Sequence, residues 1–255
     1  MIAALRLTAA IVFVSFAPIA VAAAGTAPLD ALVAAYPDHL AGHDGNELVW
    51  RDGTRTAISD GIEEKSFDAL LDTADIDDMF AIPYAPGPPS GEPALNSDPG
   101  RVRNTDFFIK MYGDCRDGEV SKRMKNVRWV DGSTVRVTNV NGVADRLQRV
   151  ADELRTLPGE FEKFLAPSAG TYNCRVIAGT NRMSMHAFAA AIDISTEFTH
   201  YWLWNKPVDG RIPYKNKVPF EIASIFEKHG FIWGGKWHHY DTMHFEYRPE
   251  LLAPR

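Results

Sequence analysis

Two short segments about fifty residues apart place the strongest demand on how this chain folds. The first, Ser184-Met-His-Ala-Phe-Ala-Ala-Ala-Ile-Asp193, carries His186 and Asp193; the second, Asp241-Thr-Met-His244, carries an acid and a further histidine. Two histidines and one carboxylate can hold a zinc ion and leave its fourth position open to water. An acid three residues ahead of the last ligand can take that water's proton. His186, Asp193 and His244 are thus candidate metal ligands and Asp241 the candidate acid/base, provided the fold brings the segments together. A lone histidine is ordinarily a surface or satisfied core residue, and the chain has 8 of them. The combination carries the argument, whereas His238 and His239 mean little by themselves.

Local patterning supports the same four residues. Read as a strand, Ala189 to Ile194 places Ala189, Ala191 and Asp193 on one face, and the small side chains leave room beside the carboxylate. Met243 to Arg248 reads as a second strand with His244 and Glu246 sharing a face. Glu246 is a rival for the base, but the preferred role is to orient a ligand histidine. Gly234-Gly235 allows close backbone approach. Trp202, Trp204, Trp233 and Trp237 read as core, with one of them available as a cleft wall.

Elsewhere the chain reads as mixed helices and hairpins. Glu47 to Trp50, a turn, and Thr54 to Ile58 form strand, turn, strand; Val127 to Val130 and Thr134 to Thr138 flank an Asp-Gly turn. Phe67-Asp-Ala-Leu-Leu opens a helical segment running, with a break, to Met79-Phe80. Val143, Leu147, Val150 and Leu154 recur at helical spacing, with Asn141 as the expected cap and Pro158 beyond the end. Glu160 to Leu165 is a short helical piece, and a further helix from Phe220 ends at Gly230. Residues 83–100 hold six prolines with Gly87, Gly91 and Gly100, which predicts a long surface loop. These elements predict an α+β fold with a small, largely antiparallel sheet and flanking helices. Residues 141–255 read as the catalytic core, and 25–140 as an N-terminal extension with hairpins and the Pro/Gly-rich loop.

The first 24 residues differ from the rest. A single Arg6, an apolar run from Leu7 and the small residues Ala20 to Ala24 have the form of a secretory signal peptide with cleavage options after Ala22 or Ala24. The protein is then exported, periplasmic or secreted, with no stable membrane insertion after cleavage. In an exported protein an even cysteine count suggests a disulfide, here between Cys115 and Cys174, the only two present. A net charge of −6 argues against non-specific nucleic-acid binding.

The two segments resemble signatures of the zinc D-alanyl-D-alanine carboxypeptidase and L-alanyl-D-glutamate endopeptidase family, often called VanY-like. Ser184 to Asp193 is similar to S-x-H-x-x-G-x-A-x-D, and Trp233-Gly-Gly-Lys-Trp with Asp241-Thr-Met-His-Phe-Glu246 to the second signature. Tyr172-Asn-Cys-Arg175 resembles the segment that precedes the first signature in one branch. The resemblance covers about residues 170–250. It implies a zinc DD-peptidase or hedgehog-like core, one Zn2+ held by His186, Asp193 and His244, and Asp241 as the catalytic acid/base. It implies peptidoglycan stem peptides as the partner, Ser184 as a residue bonding substrate or ligand, and Arg175, or alternatively Arg182, as a substrate-binding arginine. Both carboxypeptidase and endopeptidase action remain open. One departure stands out: the family glycine is Ala189 here, which bears on the substrate pocket or the strand. The alternative from another class is a non-catalytic zinc module binding cell-wall peptides or a protein.

Overall fold

The computed structural model describes residues 27–208 and 211–253. The expected leader over residues 1–24 lies outside them. No helix of the described residues is long and apolar enough to cross a membrane.

The chain opens with helix α1 (Ala27–Ala35) and a three-stranded antiparallel meander, β1 (Leu40–Asp44), β2 (Glu47–Trp50) and β3 (Arg55–Ala57). Helix α2 (Phe67–Asp72) follows, capped by the Ser66 hydroxyl on the Ala69 amide. A 3-10 turn at Asp77–Phe80 supplies the break and continuation expected there. Next come α3 (Thr105–Tyr112), with Asn104 as its cap, and the short α4 (Glu119–Lys122). The Asp-Gly hairpin is present as β4 (Met124–Arg128) and β5 (Thr134–Thr138). Helix α5 (Val143–Leu154) buries Val143, Leu147, Val150 and Leu154, the periodic set. Its cap differs from expectation. Gly142, at φ 69°, occupies the N-cap position, while Asn141 takes a left-handed conformation and points its amide at the Met111 sulfur.

After α6 (Glu162–Leu165) comes the sheet that carries the site: β6 (Ala191–Asp193), β7 (Phe231–Trp233) and β8 (His244–Tyr247), in the order β6-β8-β7 and antiparallel throughout. Helix α7 (Phe220–Lys228) packs on β7, and α5 packs on α7. Antiparallel α+β is therefore the architecture, divided into three small sheets rather than one. Central β8 is buried on both faces. On one face Phe245 stacks on Phe226 at 3.8 Å and lies near-parallel to Trp233; on the other stand His244 and Glu246.

The buried core runs continuously from Leu32 to Leu251, so side chains from both sides of residue 140 share it. Tyr36 of α1 donates to Glu250 at 2.6 Å, and Cys115, just beyond α3, is bonded to Cys174. The Pro/Gly-rich stretch forms no helix or strand, as expected, but its ends are not at the surface. Tyr84 donates to Glu227 at 2.6 Å and accepts the Trp233 amide at 3.1 Å. Asp98, fully buried, accepts the His239 amide and faces its Nδ1 at 2.6 Å. Gly100 sits at φ 91°, and a Cβ there would fall 2.3 Å from Ile232 and 3.1 Å from Glu246. The stretch thus straps across β7 and β8, with only its middle exposed.

Candidate metal centre

Register brings the two motifs together. Asp193 and His244 are directly paired across β6 and β8, as are Ala191 with Glu246. Directly opposed residues in an antiparallel pair place their side chains about 5 Å apart on one face. His186 arrives from a 3-10 turn, Met185–Phe188, just before β6. Ser184 caps that turn, its hydroxyl accepting the His186 amide at 3.3 Å, so its visible role is to aim His186. The turn ends on Ala189, at φ 53° and ψ 29°. This corrects the strand expected from Ala189: β6 begins at Ala191, and Ala189 does not share its face with Asp193. A left-handed position favours glycine, which accounts for the family residue in backbone terms.

Three ligand atoms converge. His244 Nδ1 lies 3.0 Å from Asp193 Oδ1 and 3.1 Å from His186 Nε2, and His186 Nε2 lies 3.2 Å from the same Asp193 oxygen. Zinc bonds of 2.0–2.2 Å at tetrahedral angles separate ligand atoms by about 3.3 Å. The far ring nitrogens are committed. His186 Nδ1 donates to the Thr171 carbonyl at 3.1 Å, and His244 Nε2 donates to Glu246 at 3.0 Å. Each histidine therefore turns its other nitrogen into the triad, the outer-shell arrangement usual for metal-binding imidazoles.

The electrostatics favour a cation at this point. Burial opposes charge on His244, yet hydrogen bonds and attraction from Asp193 and Glu246 outweigh it and raise its imidazole to about 10. Burial likewise opposes charge on Asp193, but His186 and His244 hold its carboxyl well below the usual range. A metal binding at this point would have to displace a proton from His244. His186, Asp193 and His244 form the one grouping of this kind among the described residues.

Glu246 is fully buried and bridged by cations, with Arg103 at 2.9 Å and Arg248 at 3.3 Å. Burial raises its carboxyl, but Arg103 and His244 lower it further, to about 2. It is ionised and engaged, which suits orientation of His244 rather than proton transfer. Asp241 is the opposite case. Its Oδ1 is buried without a hydrogen-bond partner, and burial, aided by Asp193 and offset by His244, raises its carboxyl to about 6. Gly234 makes room for it: a Cβ there would fall 2.6 Å from the Asp241 carbonyl.

These groups line a cavity of about 360 Å³. Arg175 lines it too and is exposed, whereas Arg182 lies outside the lining and points at Asp72, 3.3 Å away. Of the tryptophans, Trp233 is core and Trp202 packs on His239. Trp237 forms the wall beside His244, and Trp204, 60% exposed, sits at the rim. Two charged lining residues were not anticipated: Arg101 and Arg103, from the end of the proline-rich strap. Their only sequence signal is the basic pair following Asp98-Pro-Gly.

No curated protein and no solved structure matches the chain. Residues 178–247 match the peptidase M15 family model described as D-alanyl-D-alanine carboxypeptidase. The stretch that brings His186, Asp193, Asp241 and His244 into one cavity is thus the stretch that matches this peptidase family model, in agreement with the resemblance of its two signatures.

Proposed function

We propose that this protein is an exported, zinc-dependent peptidase that hydrolyses amide bonds in peptidoglycan stem peptides, of the L-alanyl-D-glutamate endopeptidase or D-alanyl-D-alanine carboxypeptidase type. The observation that carries the reading is the convergence of His186 Nε2, Asp193 Oδ1 and His244 Nδ1 within 3.2 Å beside Asp241, whose Oδ1 is buried without a hydrogen-bond partner. A zinc DD-peptidase-like core built from β6, β7 and β8 with α7 accommodates this arrangement.

When bound, zinc supplies Lewis acidity that acidifies water toward pH 7 and polarises a carbonyl. His186, Asp193 and His244 are the residues that would hold it. Asp241 takes the proton of the attacking water and returns it to the leaving amine. Its poise near neutrality fits both halves of that task, since the ideal acid/base lies near the working pH. Glu246, fixed by Arg103, keeps the His244 ring oriented with Nε2–H outward and Nδ1 facing the centre. Arg175, exposed on the cavity, is placed to bind substrate.

A non-catalytic zinc module has no need of a buried carboxylate oxygen without a partner, and Asp241 Oδ1 is one. The test is a digest of purified peptidoglycan by the zinc-loaded protein, with fragments identified by mass spectrometry. Released terminal D-alanine marks a carboxypeptidase, and fragments ending in L-alanine an endopeptidase; Asp241→Ala should yield neither while retaining zinc. Absence of cleavage by wild type that holds zinc would overturn the peptidase reading.

A further inference from the structure

The turn that carries His186 is held from two sides. On one side Phe188, at its end, packs on α3, with ring centroids 5.9 Å from Phe108 and 6.0 Å from Tyr112. On the other, residues 171–175 bond to it three times. The Thr171 carbonyl accepts His186 Nδ1 at 3.1 Å, and the Asn173 amide donates to the His186 carbonyl at 3.1 Å. The Arg175 carbonyl accepts the amide of Ser184, the residue that caps the turn, at 3.2 Å. The Cys115–Cys174 bond joins the two sides, since Cys115 lies just beyond α3 and Cys174 lies inside the segment. Helix, turn and segment thus close a triangle around one metal ligand.

The crosslink matters because the segment has little else to hold it. Its start is anchored, the Thr171 hydroxyl donating to the Arg136 carbonyl at 2.5 Å, and Tyr172 packs at the edge of the core. Residues 172–175 form no helix or strand, and Asn173, Cys174 and Arg175 are exposed. Their backbone bonds run to the turn that they steady. A short exposed stretch of this kind opens locally at little cost. The crosslink restrains that opening at its centre. Of its two ends, Cys115 is buried and Cys174 is exposed, so a thiol can reach the bond from the Cys174 side.

We propose that the Cys115–Cys174 bond is a positioning element of the metal centre, and that opening it with a dithiol weakens zinc binding at His186, Asp193 and His244. The reductant's thiolate attacks Cys174 Sγ, the S–S bond breaks, and Cys115 leaves as a thiolate that takes a proton. The second thiol of the reductant then displaces Cys174 Sγ. The protein gains two electrons and two protons, and the reductant departs as its own disulfide. The segment is freed, and the His186 ring loses the fixed partner of its Nδ1. A chain in a reducing cytoplasm then holds the metal weakly, and oxidation completes the site. This rests on the zinc half of the peptidase reading and goes beyond it.

The experiment titrates zinc against a chromophoric chelator in three forms of the protein: oxidised, reduced by a dithiol that is then removed under nitrogen, and reoxidised. Cys115→Ser/Cys174→Ser supplies a form whose thiols cannot themselves bind zinc. Loss of an outer contact to a ligand histidine lowers metal affinity about 10–100-fold. The reduced protein and the double variant should show that drop, and reoxidation should restore wild-type affinity. Leu154→Ala, a core truncation in α5, should lower the urea midpoint and leave zinc affinity unchanged, which separates positioning from general stability. In the metal-free oxidised protein the His186 Nδ1 proton should give a resolved resonance that reduction abolishes, a reading independent of the variants. Equal affinities in the oxidised and reduced forms, or an equal drop in Leu154→Ala, would overturn the inference. Redox-dependent affinity in a protein that cuts no peptidoglycan would sink the peptidase reading alone. Unchanged affinity in an active peptidase would sink this inference alone.

Discussion

At Ala189 a single methyl group stands where the signature that the segment resembles has glycine, and the backbone explains what that methyl meets. The residue is fully buried at φ 53°. A left-handed L-residue costs about 1–2 kcal/mol, whereas glycine adopts that region freely. Against that relief stand the unfolded-state entropy of glycine and the loss of a buried methyl, each about 0.4–1 kcal/mol. The terms nearly cancel, so Ala189→Gly should shift stability by less than about 1 kcal/mol. Ala190→Gly, next door and equally buried but with no positive φ to relieve, should cost about 1–2 kcal/mol. Denaturant midpoints of the two variants compare them directly. Asp241 yields a prediction of opposite character. Its folded carboxyl is raised to about 6, above the unfolded value near 3.9, so the folded state holds that proton more tightly than the unfolded chain. Its stabilisation is complete below about pH 4 and is lost as pH rises through about 6, a change of at most about 3 kcal/mol. In the metal-free protein Asp241→Asn should remove this loss and melt higher than wild type at pH 7; in the zinc-loaded protein it should abolish turnover. Equal pH profiles for the two proteins in thermal melts would contradict it.

Between elements, the site depends on contacts that cross long stretches of sequence. The order β6-β8-β7 places Asp193 opposite His244, and the strap brings Arg103 to Glu246 behind them. Glu246→Gln keeps the shape but removes the charge that orients and polarises His244. Outer-shell losses of this kind lower metal affinity about 10–100-fold. Competition with a chelator should reveal that drop, and Arg103→Gln should lower affinity in the same direction by a smaller factor. The strands, the α5 face and the Asp-Gly hairpin were legible because periodicity and turn chemistry are local. The four site residues stood out because their types are rare and their spacing is informative. The αL turn at Ala189 was not legible, because an alanine in a small-residue run reads equally well as strand. Nor was the cap of α5 legible, because Asn141 and Gly142 both suit a helix start and local pattern does not choose between them. The strap was read as surface because its prolines and glycines exclude regular structure without revealing that Tyr84, Asp98 and Gly100 pack inward.

For the molecule as a whole, the Cys115–Cys174 bond closes a loop with a sequence separation of 59 residues. Loop-closure entropy for that length is worth about 4 kcal/mol, with measured values commonly about 2–4 kcal/mol. Cys115→Ala/Cys174→Ala should therefore lower the stability of the folded chain by about 2–4 kcal/mol in urea titrations, where a change below about 1 kcal/mol would show the crosslink to be incidental. The bond also joins the end of α3 to the segment bearing Arg175, while the strap delivers Arg101 and Arg103 from the same half of the chain. The matched stretch at 178–247 thus borrows three of its cavity's six charges from residues that precede it. Transplanted alone into another scaffold, that stretch would carry His186, Asp193, Asp241 and His244 but leave behind Arg103, which holds Glu246, and the two other arginines of the cavity. The cavity is therefore not portable as the matched stretch alone, and a swap of the two signatures would have to move the strap with them to rebuild the same lining.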